Sequence, residues 1–183
     1  MLDQFLQIHL LTTDQQLQKL APTLKTVLEI GFDTETRPSF KKGEFFKVAL
    51  LQLSTEQDAY LVRLHGITDF QPLKELFENP EILKIGLAIR DDLKALQKLF
   101  PFQAKNFVEL QDLAKEKGLE NFGLKGMTEE VLAGTISKAA KITNWEASHL
   151  TDSQLMYAAT DAWIGLMLHR SLKNRSKVPN EIR

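Results

Sequence analysis

Asp33 and Glu35 close a short apolar run, Val27 to Glu35, with a single residue between them. On an extended strand residues i and i+2 point to the same face, so this run presents two carboxylates side by side. Like charges that close repel and are costly. A divalent cation makes the arrangement favourable, because hard ions such as Mg²⁺ take oxygen ligands. Asp92 follows Asp91 where a helical pattern starts, and Tyr157 and Asp161 stand at i and i+4 on a long helix, hence on one face. Ala158, Ala159 and Ala162 let that helix approach a sheet closely, and a carboxylate in such a packable segment needs a partner. Four acids from three elements are what two divalent ions require to flank a phosphate about 3.5–4 Å apart. One ion lowers the pKa of a bound water, the other stabilises the leaving oxygen, and the Tyr157 phenol can orient the attacking water. Each piece alone has an ordinary alternative: two carboxylates after a strand, acids favoured by a helix dipole, and a hydrogen-bonding anchor at Asp161.

The elements that must position these groups follow from periodicity. Phe5, Ile8, Leu10 and Leu11 suggest an edge strand or arm. Thr12 or Thr13, with Gln15 or Gln16 three residues on, has capping-box spacing for a helix burying Leu17, Leu20, Ala21 and Leu24. The acidic strand comes next, then a loop over 36–44, a strand from Phe46 to Leu53, a tight turn and a strand from Ala59 to Leu64. Thr68 is expected to cap a helix with Phe70, Leu73, Leu76 and Phe77, stopped by Asn79-Pro80. Ile82 to Ile89 is nearly all apolar, as a central strand covered on both sides would be. A helix opened by Asp91 and Asp92, a brief strand at 106–108, and helices through Leu113 and over Leu124–Leu132 follow. Residues 134–149 read as irregular. The last helix is capped by Thr151 with Gln154 completing the box, and runs to about Leu172. Three strands followed by strand–helix alternation predict a mixed sheet with helices on both faces.

With 183 residues, 43% hydrophobic and 26% charged, the composition is that of one globular domain. No apolar run approaches the ~20 residues that span a bilayer, so no membrane partner is expected. Met1 is followed by acidic and polar residues rather than a signal peptide, and the chain has no cysteine. Both fit a cytoplasmic setting, and the second excludes disulfides, thiol chemistry and Cys-ligated zinc. The net charge of −1 provides no global field toward a polyanion. Attraction to nucleic acid must therefore come from local lysines or from metal.

The sequence resembles the 3′–5′ exonuclease domains of the DEDD superfamily, in the branch with a tyrosine in its third motif. Within that branch it is closer to the Werner-syndrome exonuclease domain and small stand-alone bacterial relatives than to full-length ribonuclease D. The first motif is Phe32-Asp33-Thr34-Glu35. Lys47 to Leu53 matches the second strand, and Lys84 to Asp92 the second motif, with Asp92 in the catalytic place and Asp91 a bystander. The third motif runs from Leu150-Thr151 through Gln154 to Tyr157, Asp161 and Trp163; Asn106 to Leu110 and Asn144-Trp145 match as well.

The likeness covers about residues 8–172 and implies a ribonuclease H-like α/β/α fold with a mixed five-stranded sheet, three antiparallel strands and then parallel ones. It places an exonuclease domain at 1–172 and a polar, basic tail at 173–183. It implies two Mg²⁺ or Mn²⁺ ions held by Asp33, Glu35, Asp92 and Asp161. Asp33, Glu35 and Asp161 would serve the ion that activates water. Asp33 also reaches the second ion, which Asp92 binds directly or through a water. The implied reaction removes nucleoside 5′-monophosphates from a single-stranded or recessed 3′ end of RNA or DNA.

Arg90, Lys125, Lys138, Lys41 and Lys42 could meet phosphate or be solvated surface charges. Trp145 could stack on a terminal base or pack in the core, and Phe40 and Phe46 pose the same choice. His149, His169 and Asp112 read as structural or exposed. Two other functions compete: a non-catalytic nucleic-acid module of the same fold, and a metal-dependent phosphatase acting on small nucleotides. With only a short tail after the last helix, no appended RNA-binding helices are expected, and grip on substrate would come from the cleft, partners or oligomers.

Overall fold

Alternation along one strand divides the molecule. The structure, a computed structural model, describes residues 6–136 and 143–175. In β2 (Glu29–Thr36) the side chains of Ile30 and Phe32 enter a core built with the first three helices. Gly31, Asp33 and Glu35 alternate with them and face the other way. Among the described residues the sheet has six strands in the order β1-β4-β3-β2-β5-β6. The others are β1 (Gln7–Leu11), β3 (Val48–Ser54), β4 (Asp58–Arg63), β5 (Leu83–Gly86) and β6 (Phe107–Glu109). β2, β3 and β4 are antiparallel neighbours, whereas β5 and β6 run parallel to β2.

The mixed three-layer fold matches expectation, with one strand more than the five anticipated. The sixth is β1, which pairs parallel to β4 from Gln7↔Asp58 to Leu11↔Val62. His9 fixes it there: its ring stacks on Tyr60 at 5.1 Å, and Nε2 lies 2.7 Å from Asp58 Oδ1.

Helices α1 (Asp14–Leu24), α2 (Gln71–Glu78) and α3 (Ile89–Leu99) cover one face. There Phe32, Phe70, Phe77, Phe100, Phe102 and Phe107 form an aromatic cluster with ring centroids 4.9–6.1 Å apart. Helices α4 (Leu110–Glu116), α5 (Leu124–Leu132) and α6 (Asp152–Lys173) cover the other. A helix apolar on more than one side belongs in an interior, and α6 lies between the sheet and α4 and α5. Thr13 with Gln16, and Thr151 with Gln154, form the two expected capping boxes. Thr68 does not cap α2. Its hydroxyl and amide donate to Asp14 of α1, and Phe70 takes the N-cap position without a side-chain bond. Phe5, Lys138, Lys141 and the tail beyond Arg175 lie outside the described residues.

Lys84 of β5 is fully buried. Its Nζ donates to the Asn79 carbonyl at 2.6 Å and sits 5.1 Å from the centroid of the Phe107 ring. Burial without a carboxylate pushes its pKa down to about 8. The folded state then holds fewer protons than the unfolded state between pH 8 and the ordinary lysine value, so stability rises with pH through that window. Relative to Lys84→Met, the wild-type chain should gain on the order of 3 kcal/mol as pH rises from 8 to 10.5. Urea unfolding at stepped pH measures this, and a flat difference would contradict it.

Candidate active site

Glycine sets the distance between the acidic strand and the last helix. A Cβ built on Gly31 would lie 2.2 Å from the Ala162 carbonyl oxygen, so α6 rests directly on the β2 backbone. Ala158, Ala159 and Ala162 are fully or almost fully buried along the same helix. Asp33 follows Gly31 on that face of β2, and Asp161 precedes Ala162 on α6. The close approach therefore brings Asp33, Glu35, Tyr157 and Asp161 into one cleft of about 490 Å³. Its opposite wall is the start of α5, with Gly123, Leu124, Lys125 and Gly126.

The Tyr157 hydroxyl reports how these acids sit. It donates to Asp161. Burial first, and then the negative charges of Asp161, Glu35 and Asp33, push its pKa well above the usual phenol value. Three carboxylates thus act on one hydroxyl, which stays protonated above pH 10. Trp145 packs against the Tyr157 ring, centroids 6.1 Å apart, and is fully buried. Of the two readings open for Trp145, core packing is the one its burial favours: it has no exposed face and supports the Tyr157 ring. Arg63 of β4 holds the segment in place by donating to the carbonyls of Ala147 and Ser148.

Asp92 is placed differently from the other acids. Thr34 lies on the reverse face of β2, and its hydroxyl donates to Asp92 Oδ1 at 2.6 Å. Asp92 is not among the residues lining the cleft. Burial is the main reason its pKa is raised; the Thr34 bond opposes that shift, and the charges of Asp91 and Glu109 add to it.

Glu109 closes β6. Its carboxylate accepts from the Ala88 and Ile89 amides, both at 2.8 Å, and so caps α3 from a distant part of the chain. Ala88 itself has φ +55° and offers no side-chain cap. The only sequence signal for Glu109 is a lone acid at the end of a short strand. Gln52, opposite Asp33 in the β2–β3 register, is fully buried, with no hydrogen bond to its amide among the described residues.

Of the further candidates, Lys125 lines the cleft 3.7 Å from Glu129. Arg90 is exposed on the first turn of α3. Asp112 is exposed beside Lys115, His149 is exposed, and His169 is buried near Glu29. Among the described residues, no group of three or more His, Asp and Glu side chains stands ready to hold a metal ion. The donor chemistry fits a hard divalent cation all the same: Asp33, Glu35 and Asp161 line one cleft with a single neutral phenol.

A mixed sheet with helices on both faces and a carboxylate-lined cleft at β2 and α6 defines a ribonuclease H-like α/β/α domain. The chain belongs to the 3′–5′ exonuclease family, whose profile matches residues 8–177, and within it to the DEDD-type domains related to ribonuclease D and the Werner exonuclease. It is 38% identical over 151 residues to the mouse bifunctional 3′–5′ exonuclease/ATP-dependent helicase WRN, a match covering 79% of this chain and 11% of that protein. It is 35% identical over 154 residues to a 3′–5′ exonuclease of Arabidopsis thaliana, covering 79% of this chain and 52% of the relative. The crystal structure of Escherichia coli RNase D superposes with a TM-score of 0.84 at 30% identity, covering 91% of this chain and 44% of that one. The chain thus spans from about a tenth to about half of the length of these relatives. No helix among the described residues is long and apolar enough to cross a membrane.

Proposed function

We propose that this chain removes nucleotides one at a time from the 3′ end of single-stranded nucleic acid or a recessed duplex, releasing nucleoside 5′-monophosphates. The observation that carries the reading is the set of three carboxylates, Asp33, Glu35 and Asp161, around the Tyr157 hydroxyl in a cleft open to solvent. Membership of the exonuclease family supports it.

In this reading Asp33, Glu35 and Asp161 hold one divalent cation, Mg²⁺ or Mn²⁺. A second would draw on Asp33 and on Asp92, whose Oδ1 also accepts from the Thr34 hydroxyl. Such ions supply a water of lowered pKa and neutralise charge on the scissile phosphate. The chain's own residues do the rest. Asp161 accepts a hydrogen bond from the Tyr157 hydroxyl and so fixes the direction of the phenol's lone pairs. Tyr157 orients the attacking water without giving up its own proton. Trp145 holds the ring from behind, and Lys125 meets the phosphate backbone from the α5 wall. A phosphate-centred site scarcely reads the base, so RNA and DNA are both substrates to test.

The test incubates 5′-labelled single-stranded RNA, single-stranded DNA and recessed duplex with Mg²⁺ or Mn²⁺. A ladder shortening from the 3′ end is expected. Binding without shortening would favour the non-catalytic module, and phosphate release from mononucleotides alone would favour the phosphatase.

Tyr157→Phe separates orientation from titration. Losing the hydroxyl should lower kcat about 10²-fold with little change in KM. Because the phenol pKa is raised, the wild-type pH–rate profile should show no basic limb from this group up to pH 10. A phenol-dependent limb near neutrality would mean that Tyr157 acts as a base.

A further inference from the structure

Immediately after the acidic strand the chain leaves the fold as a projecting loop, residues 37–47, with an unusual surface. Phe45 is 91% exposed and Phe40 is 83% exposed, more than any other large apolar side chain among the described residues. Lys41, Lys42 and Lys47 are exposed between and beside them. Two large rings held in water are costly unless something covers them.

The loop is built to hold its shape. The Glu44 amide donates to the Lys41 carbonyl at 3.2 Å, closing a turn over Lys41–Glu44. Gly43 sits at the third position with φ +85°, as a type II turn requires. Ser39 Oγ donates to the Lys41 carbonyl at 3.0 Å. At the base, the Arg37 guanidinium lies 4.8 Å from the Phe46 ring centroid and 3.4 Å from Glu146. A groove of about 220 Å³ runs under the turn, lined by Arg37, Phe40, Phe46, Thr143 and Asn144 among others.

The groove and the cleft draw on neighbouring stretches of chain. Arg37 is two residues beyond Glu35, which lines the cleft, and Asn144 precedes Trp145, which packs on Tyr157. Exposed aromatic rings interleaved with lysines, a few residues along the chain from a carboxylate-lined cleft, have the chemistry of a single-strand binding surface: rings take bases and ammonium groups take phosphates. An acidic or purely apolar partner would leave one half of that pattern without a counterpart.

We propose that the 37–47 loop is a stacking platform for single-stranded nucleic acid. Phe40 and Phe45 take bases, and Lys41 and Lys42 take phosphates, of the strand that runs out of the cleft behind its 3′ end. This rests on the exonuclease reading for the strand's direction, but its test can be read without catalysis.

Fluorescence anisotropy of a labelled 12-nucleotide single strand, with the full chain in EDTA, measures binding alone. Phe40→Ala/Phe45→Ala should weaken it about tenfold or more, and Phe40→Trp/Phe45→Trp should restore it. Lys41→Gln/Lys42→Gln should flatten the slope of log K against log salt by about 1.4, the value for two phosphate contacts to a single strand. In parallel, with Mn²⁺, the double alanine variant should lose rate on the 12-mer relative to thymidine 5′-monophosphate p-nitrophenyl ester, which is too short to reach the loop. Binding by the alanine variant equal to wild type overturns the proposal, as does a wild-type chain that binds no strand. Unchanged binding with an altered sedimentation coefficient also overturns it, and assigns the loop to contact between copies. Binding that depends on the two rings in a chain that cleaves nothing sustains the platform while the exonuclease reading fails.

Discussion

Asp161→Asn is expected to leave a folded protein with hydrolysis reduced a thousandfold or more, on the order of 4 kcal/mol in transition-state stabilisation. Asp161 is only 9% exposed and lies on the third turn of α6 after its cap, next to the Ala162 that touches β2. Asn has the same size and can still accept the Tyr157 hydroxyl through its side-chain carbonyl. What it loses is the charge. In a metal-free protein that loss should help, because three carboxylates share one small region and repel one another. The variant should therefore melt at the same temperature as wild type or higher in EDTA while producing no ladder with Mg²⁺ or Mn²⁺. Wild-type turnover by Asp161→Asn would remove Asp161 from the catalytic set. A parallel loss of stability and activity would instead make it the structural anchor that its burial alone allows.

Most of the frame was legible because it is periodic. The capping boxes at Thr13 and Thr151, the α5 span Leu124–Leu132 and the long α6 follow from local rules about side chains and free helix amides. Asp33, Glu35, Tyr157 and Asp161 were legible for a related reason: i, i+2 on a strand and i, i+4 on a helix already fix which side chains share a face. The places where the structure departs from expectation are non-local. Thr68 has the right type and spacing for a cap, but Asp14, a residue of α1, offers it a carboxylate. Asp92 keeps its position near the start of α3, and the partner that no local pattern marks is Thr34, 58 residues earlier, whose hydroxyl donates to its Oδ1. Glu109 caps α3 from 20 residues away, and no local pattern marks a cap delivered by another strand. Trp145 could be exposed or buried on sequence grounds; only the depth of the segment under Tyr157 decides.

Gly31→Ala should also be damaging, by a different route. Gly31 has no left-handed φ, so its conformation is open to any residue. The constraint is space: the added methyl would meet the Ala162 carbonyl oxygen at 2.2 Å and Leu166 Cβ at 3.1 Å. A backbone oxygen in the middle of a helix cannot swing aside like a flexible side chain, so α6 itself must move away from β2. Overpacking of this kind costs about 1–3 kcal/mol, and more where the obstacle is backbone. The displacement would carry Tyr157 and Asp161 away from Asp33 and Glu35. A misplacement near 1 Å costs roughly 10²-fold in rate, beyond any loss of folded protein. Gly165→Ala, three residues along the same helix, is the matched control. Its Cβ would meet only Leu110 Cδ1, at an ordinary 3.6 Å, and alanine is favoured over glycine inside a helix by about 1 kcal/mol. Urea unfolding and single-turnover cleavage of both variants should therefore move in opposite directions in stability, with the rate defect confined to Gly31→Ala. Equal stability and equal rates for the two would show that the β2–α6 contact does not set the spacing of the acids.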